Sequence, residues 1–554
     1  MAEESYSTQR LDHLGIVAGI CQQIGLIEQI DTYVGATGRK VSVGEAVQAM
    51  VLNALGFVGR ALYLTPEFFD NKPVDLLIRE GLTAGDFNDD SLGRALDMLY
   101  NAGITQVFFC VASHALSVFE IEHDFDSPVV GGPTFVHLDN TSFSLEGDYA
   151  RPSEDPKAVR ITHGYSRDHR PDLKQVVVSL ICSYQSSIPV WLQALDGNRA
   201  DKESFPGIIQ AYVSQIQESA PGELPYFIAD SALYSEENIN VLSKVKWITR
   251  IPGTLNEVKE LYKSITPEQM QESVLEGYSY LEVGNYYGGL RQRWLVVFSQ
   301  AAYKREAATF RKRLSERRTQ AEKSLNHLSQ KEFPTQEAAR TAVSALEAQW
   351  EFHRATTHFE KVFRYKGAGR PRKGEKPEHV GWRVVAQVVD REEAIVEALK
   401  SKGKFILGSN ELDEEQLPAE MILTAYKGQA ASVERGFRFL KDPMFFASSL
   451  FLEKPERIMA LLMVMVLSLL VYALAEKSLR TALTQRDESI PNQVGKPTQC
   501  PTIRRIFQVF QGIDVLLTKH PLGIQRQVLN LKPIHLRVLD LLGPEVKKYY
   551  ILDG

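Results

Sequence analysis

Through the first 128 residues the apolar positions recur at helical spacing. VSVGEAVQAMVLNALGFVGRAL and SLGRALDMLYNAGITQVFFCVASHAL both predict helices with one face in a core. Asn88-Asp89-Asp90 stands just before the second run and reads as an N-cap cluster, because short polar side chains accept the free N–H groups of a first turn. A metal role is the alternative for its aspartates. No helix-turn-helix spacing is evident, so DNA binding by this region rests on its position alone. The pattern changes after SPVVGGP at Ser127–Pro133. In TFVHLDNTSFSLEG, Phe135, His137 and Asp139 fall on one face of a strand, with Val136 and Leu138 on the other. LKQVVVSLICSYQSSIPVWLQAL supplies two more strands about a turn at Gln185–Ser187. The second half of DGNRADKESFPGIIQAYVSQIQ is an amphipathic helix. LPYFIADSALYSEENINVL then gives a short buried strand ending at Asp230 and a helix opened by Ser235, and KVKWITRIP gives a last strand.

Three hairpin strands, helix, strand, helix, strand is the order of an RNase H-like fold, in which the first and fourth strands are neighbours. The expectation is an α/β fold: an RNase H-like mixed sheet flanked by helices, with an all-helical N-terminal domain and an α+β insertion domain. The boundaries expected are 1–128 for the helical domain, 129–255 and 403–484 for the two parts of the core, 256–402 for the insertion and 485–554 for a C-terminal extension. Within the insertion, YLEVGNYYGGLRQRWLVVFS reads as a hairpin and Lys304–Leu328 as a long helix. Phe310, Leu314, Ala321, Leu325 and Leu328 give that helix a heptad-like stripe, and Thr335–Trp350 returns beside it past Pro334. WRVVAQVV and KFILGSN are strands that close the insertion. Tyr426–Lys441, YKGQAASVERGFRFLK, then predicts one helix with Glu434, Arg438 and Lys441 on one face. Val433, Phe437 and Leu440 form an adjoining apolar stripe. Taken alone this is a surface helix with a Glu434–Arg438 pair.

One apolar run bears on the class of protein. Ile458–Ala475 is eighteen residues long with only Ser468 and Tyr472 polar, which reaches the lower limit of a membrane span. Charged sequence flanks it on both sides, and a helix buried all round in a core has the same composition. We read it as a core helix and expect no membrane. A chain of 554 residues with 44% hydrophobic and 24% charged residues suits a globular protein of roughly two to four domains. The net charge of −6 does not itself point to nucleic acid, but phosphate contacts depend on local patches. Lys304–Arg318 carries seven basic residues against two glutamates, and Lys361–Pro377 seven against one. GRPRKG in the second resembles a hook whose arginines enter a narrow minor groove, the alternative being a flexible basic linker. Cys21, Cys110, Cys182 and Cys500 are far apart with no zinc spacing, which fits free thiols and a cytoplasmic location. MAEESYSTQRLDH has no signal-peptide apolar region.

Asp139, Asp230 and Glu434 are carboxylates far apart in sequence, each at a strand end or on a helix face. Gathered together they suit Mg²⁺, a hard cation that takes oxygen ligands and keeps several waters. Two such ions about 3.5–4 Å apart activate a nucleophile and stabilise the leaving oxygen in phosphodiester chemistry. Singly, each aspartate reads as a cap or turn residue.

The blocks HLDNTSFSLEG, THGYSRDHRPDLKQVVVSL, FIADSALYSEENI and YKGQAASVERGFRFLKDP resemble those of bacterial insertion-sequence transposases of the DDE type. The nearest group has a Tyr…Glu…Lys signature and an insertion before the last acidic residue. The likeness covers nearly the whole chain, including NDDSLGRALD. It implies an RNase H-like core in which Asp139, Asp230 and Glu434 are catalytic and bind two Mg²⁺ ions, with Mn²⁺ as a substitute. It also implies cut-and-paste transposition by a homodimer on double-stranded DNA, both the terminal inverted repeats and the target. The alternative is a transposase-derived DNA-binding protein without cleavage activity. Tyr426 and Lys441 match the outer positions of the signature. Gln429 stands where it has arginine, and the interval from Tyr426 to Glu434 is one residue longer. Arg435, Arg438 and Lys441 are expected at phosphates near the scissile bond. His163, Arg167, Arg170 and Lys174, between the first two strands, and Arg370, Arg372 and Lys373 of the basic loop are further candidates for DNA contact.

Overall fold

The computed structural model describes residues 5–36, 38–58, 61–119, 134–149, 153–184, 188–219, 223–366, 370–442, 452–520 and 523–552. The expected boundary at Ser127–Pro133 and the turn at Gln185–Ser187 lie outside the described residues. The chain divides into two compact units: residues 1–249, 286–291 and 409–554, and residues 250–285 with 292–408.

After a strand at Ser5–Arg10 that pairs with Asp514–His520, the first unit continues with helices, among them α1 (Val43–Leu55), α2 (Asp89–Ala102) and α3 (Ile104–Val118). Ser42 and Glu45 form a capping box at the head of α1. Asn88 is the N-cap of α2: its side chain accepts the Ser91 N–H at 3.0 Å, and Asp89 and Asp90 occupy the first turn. The sheet comes next in the chain, built from β1 (Phe135–Leu145), β2 (Lys174–Ser183), β3 (Pro189–Leu195), β4 (Tyr226–Ala229) and β5 (Trp247–Ile251), with α4 (Asp201–Ser219) and α5 (Glu236–Val241) between its later strands. Its order is β3-β2-β1-β4-β5. β1 pairs antiparallel with β2 and parallel with β4, and β4 is parallel to β5, the RNase H-like arrangement expected from the strand sequence. β2 is buried along nearly all its length, which is why it reads as an unbroken apolar run.

In the second unit, α6 (Gln300–Ser329) and α7 (Gln336–Glu347) lie against a hairpin of β6 (His353–Arg364) and β7 (Glu378–Asp390). Ala321 and Leu325 of α6 pack on Val388, and Ala339 and Val343 of α7 pack on Val384. Toward its tip the hairpin leaves this core, and Phe363 is 53% exposed. The strands Lys404–Ser409, Leu290–Ser299, Tyr278–Tyr287 and Gln271–Glu272 run in that order in a sheet.

The chain returns to the first unit with α8 (Ala419–Lys427), α9 (Val433–Leu440) and α10 (Pro455–Gln485), followed by shorter helices and a hairpin of Asp514–His520 with Gly523–Leu529. The single helix expected over Tyr426–Lys441 is thus two helices joined by a short 3-10 turn at Gly428–Ala431. The chain leaves the helical conformation at Ser432 (φ −104°, ψ −107°), and just before it Gly428 passes the Tyr184 ring so closely that a Cβ there would sit 2.3 Å away, where only glycine fits. The apolar stretch of α10 is wholly buried, packed against α1, α2, α3 and β3. The buried hydroxyl of Ser468 donates to the Val464 carbonyl at 2.9 Å, so it is not left unpaired in the core. Each fully buried leucine there contributes roughly 2 kcal/mol, which makes α10 the axis of the unit's core.

Candidate active site

The parallel pairing of β1 and β4 is in register at His137 and Ile228. Two residues further along each strand stand Asp139 and Asp230, opposite one another on neighbours about 4.8 Å apart. Asp139 lies within β1, where the Asn140 N–H donates to its Oδ1 at 2.7 Å. Burial pushes its carboxyl up to about 7, opposed chiefly by the Arg167 charge and reinforced by the charges of Asp230 and Asp201. Asp230 follows the end of β4 and accepts the Ala232 N–H at 2.9 Å. Burial raises its pKa as well; the Ala232 N–H opposes this and the Asp201 charge adds to it.

Asp201, the first residue of α4, is therefore a third carboxylate at this place. The Asn140 amide donates to its Oδ1 at 2.8 Å, and Arg167 forms an ion pair with its other oxygen. Asn140 is itself buried, and its Nδ2 also donates to Ser204 Oγ at 3.0 Å. The sequence reading missed Asp201 because an aspartate in a first turn looks like an ordinary cap. The signal was there: the strand order puts the head of this helix at the carboxyl ends of β1 and β4, where ligands of open α/β sheets collect.

Arg167 and Asp168 sit in the connection between β1 and β2. Arg167 reaches Asp201, while Asp168 accepts the Lys441 ammonium at 2.6 Å. The connection is held down by two glycines. A Cβ on Gly164 would lie 2.1 Å from the Gly197 carbonyl oxygen, and one on Gly197 would lie 2.0 Å from that of Gln175. Gln175 Nε2 donates to the Tyr165 and Gly197 carbonyls at 3.2 and 2.6 Å.

α9 packs on β1 and β2, anchored by buried Val433 and Leu440 and by Ser432 Oγ donating to the Ser183 carbonyl at 2.6 Å. Glu434 is exposed in its first turn and makes no hydrogen bond or ion pair with a described residue, so the expected Glu434–Arg438 pair does not form. Arg435 instead pairs with buried Glu476 of α10, which also accepts Arg480 Nη2 at 2.8 Å and the Ile503 N–H at 3.0 Å. Arg438 lines an open cavity of about 350 Å³ with Arg435, Phe439, Tyr472 and Arg504. The Lys441 ammonium lies 5.8 Å from the Phe143 ring centroid. Tyr426 stands on α8, ahead of the 3-10 turn, and Gln429 is buried within the turn.

The other candidates for DNA contact are dispersed. Lys174 donates to the Asp148 and Tyr149 carbonyls, Arg170 pairs with Asp172 at 2.8 Å, and His163 is exposed. Arg370, Arg372 and Lys373 are exposed in the connection between β6 and β7, in the second unit, and their side chains form no ion pair with a described residue. Gly367–Gly369 of that loop lie outside the described residues.

Among the described residues, no three histidine, cysteine or acidic side chains are gathered closely enough to hold a metal ion on their own. The donor chemistry nevertheless fits a hard divalent cation: Asp139 and Asp230 side by side, Asp201 next to them and one guanidinium to offset three negative charges.

Residues 131–471 match the sequence profile of a family described as "Transposase DDE domain", and residues 6–113 match a "Domain of unknown function (DUF4277)". A comparison with curated proteins returns no significant match. Among solved structures, a cryo-EM structure of the piggyBac transposase synaptic complex with hairpin DNA is similar at 10% sequence identity, covering 91% of this chain and 82% of that one. The TM-score is 0.34, too low to equate individual residues.

Proposed function

Because this chain belongs to the DDE transposase family, whose profile spans more than half of it, we propose that Asp139, Asp230 and Glu434 cut and join DNA at the ends of an insertion sequence. Enzymes of this family use divalent metal ions, and in this reading two Mg²⁺ ions, replaceable by Mn²⁺, are held by those three carboxylates. Bound there, the ions would activate water or a 3′-hydroxyl and stabilise the departing oxygen. The single observation that carries the reading is the register of β1 with β4, which sets Asp139 beside Asp230 with a carboxyl that burial pushes to about 7. A buried, nearly uncompensated acidic pair is costly to fold and suits a cation-binding role.

The residues of the chain divide the remaining work. Glu434 is an open carboxylate on a short helix gripped at both ends, by Ser432 on β2 and by Lys441 on Asp168. Among the described residues nothing holds its oxygens, which leaves both available. Lys441 and Arg438 are then placed for phosphates near the scissile bond, with Tyr426 and Arg435 behind them. Arg167 and Lys174 serve the DNA beside Asp139. Arg370, Arg372 and Lys373 hold duplex DNA by its backbone, as their exposure and the lack of ion pairs with described residues allow. The substrates are the terminal inverted repeats and a target duplex, bound by two copies of the chain in the cytoplasm.

The test is Mg²⁺-dependent cleavage of a duplex carrying the flanking DNA of the element. Asp139→Asn should abolish cutting while leaving DNA binding intact. Cutting at the wild-type rate by that variant sinks the metal assignment. DNA binding with no cleavage by the wild-type chain favours the alternative, a transposase-derived DNA-binding protein.

A further inference from the structure

Arg167 forms an ion pair with Asp201, whose other oxygen accepts the amide of Asn140, the residue next to Asp139 in β1. Its position is built rather than incidental. The backbone N–H of Arg167 donates to Ser142 Oγ on β1 at 3.3 Å, and the Gly164–Gly197 approach pins the segment leading to it. Asp201 is oriented in turn by buried Asn140, the neighbour of Asp139 in β1. The next residue, Asp168, goes the other way, to Lys441 at the end of α9. Two adjacent residues of one connection thus join the helix that starts beside the acidic pair to the helix that carries Glu434.

We propose that Arg167 is a positioning residue that stands in for a divalent cation: it holds Asp139, Asp201 and Asp230 together before an ion binds, and gives way when one does. This rests on the reading of Asp139 and Asp230 as metal ligands. The physics is that of charge substitution. Asp139 and Asp230 on neighbouring strands, with Asp201 beside them, repel one another unless a positive charge is present. A guanidinium supplies one charge, and an incoming ion supplies two at shorter range. Once the ion is bound, the guanidinium is a like charge beside it and is better placed on a phosphate of the DNA.

The experiment uses the full chain without DNA, with Mn²⁺ as the probe, and compares wild type with Arg167→Gln, Arg167→Lys and Asp139→Asn by calorimetric titration and thermal melting. Arg167→Gln should melt lower than wild type in EDTA and recover to the wild-type value in saturating Mn²⁺. It should also bind Mn²⁺ about three- to tenfold more tightly, because a competing charge has been removed. Arg167→Lys, which keeps the charge, should bind within about twofold of wild type. Unchanged or weaker Mn²⁺ binding by Arg167→Gln, or a melting deficit that persists in Mn²⁺, overturns the proposal and leaves Arg167 a structural strap. Should Arg167→Gln not fold, a shift of more than about threefold in Arg167→Lys overturns it equally. Mn²⁺ binding by Asp139→Asn at wild-type affinity would instead overturn the metal-ligand reading beneath it.

Discussion

Replacing Asp139 by asparagine should make the protein more stable at the same time as it makes it inactive. The carboxyl has an ordinary value near 4 and is pushed by burial to about 7. A pKa raised on folding means that the native chain holds the proton more tightly than the unfolded one does. The resulting penalty is absent below about pH 4, accumulates as the pH rises and is complete above about pH 7. About three units at 1.36 kcal/mol each come to roughly 4 kcal/mol; residual solvent at the site reduces this to about 2–4 kcal/mol. Asparagine keeps the Oδ1 that accepts the Asn140 N–H, so the main local hydrogen bond survives without the charge.

Melting curves of wild type and Asp139→Asn in EDTA should therefore separate at pH 8, with the variant higher by a few degrees. By pH 5 the gap should shrink to less than half, because the native carboxyl is then largely protonated. Mg²⁺ should raise the wild-type transition and leave the variant unmoved, since only a species that binds the native state stabilises it. An Asp139→Asn protein that melts lower than wild type at pH 8, or by the same offset at both pH values, would refute the account of Asp139 as a strained carboxylate.

Glu434→Gln should cost under about 0.5 kcal/mol in melting, since Glu434 is exposed and pairs with no described residue, yet cleavage should fall by at least about a hundredfold. Loss of one effect without the other separates metal binding from folding. The triple variant R370A/R372A/K373A should lower the slope of log affinity against log salt by up to about 2.7, at about 0.9 per phosphate contact; an unchanged slope removes the basic loop from the interface. Gly197→Ala forces a Cβ to within 2.0 Å of the Gln175 carbonyl oxygen, so the connection through Arg167 should open. Faster proteolysis between residues 160 and 175 would show it, and native resistance would mean the backbone yields elsewhere. Leu467→Ala, at 0% exposure in the middle of α10, should cost about 3–5 kcal/mol in denaturant unfolding of the unit; a cost under about 1 kcal/mol would mean that α10 is not its axis.

The elements of the fold were legible wherever period and punctuation agreed. β1 to β5 and the two helices between them follow from apolar runs and turn residues, and the neighbourhood of Asp139 and Asp230 follows from their order alone. Period failed at Tyr426–Lys441. The apolar positions there continue smoothly at helical spacing, but the chain breaks between Gly428 and Ser432, where Gly428 lies against Tyr184, more than two hundred residues away. A helical pattern carries no information about what the helix will be pressed against.

For the charged residues, legibility depended on whether the partner was local. The Asn88 cap was readable because it lies three residues from the N–H it accepts. Asp201, Asp168 and Glu476 were not, because their partners Arg167, Lys441 and Arg435 lie 34, 273 and 41 residues away along the chain. At Arg435 this distant pairing bears directly on function. From the sequence it is a cation beside Glu434 and a natural phosphate ligand; in the fold it is paired with a buried carboxylate just past the apolar run of α10. Moving it to a phosphate would still leave Glu476 with Arg480 and the Ile503 N–H, so the buried charge would not be stranded. That redundancy is the physical condition under which one arginine can both fix α9 in the free protein and reach DNA in the complex.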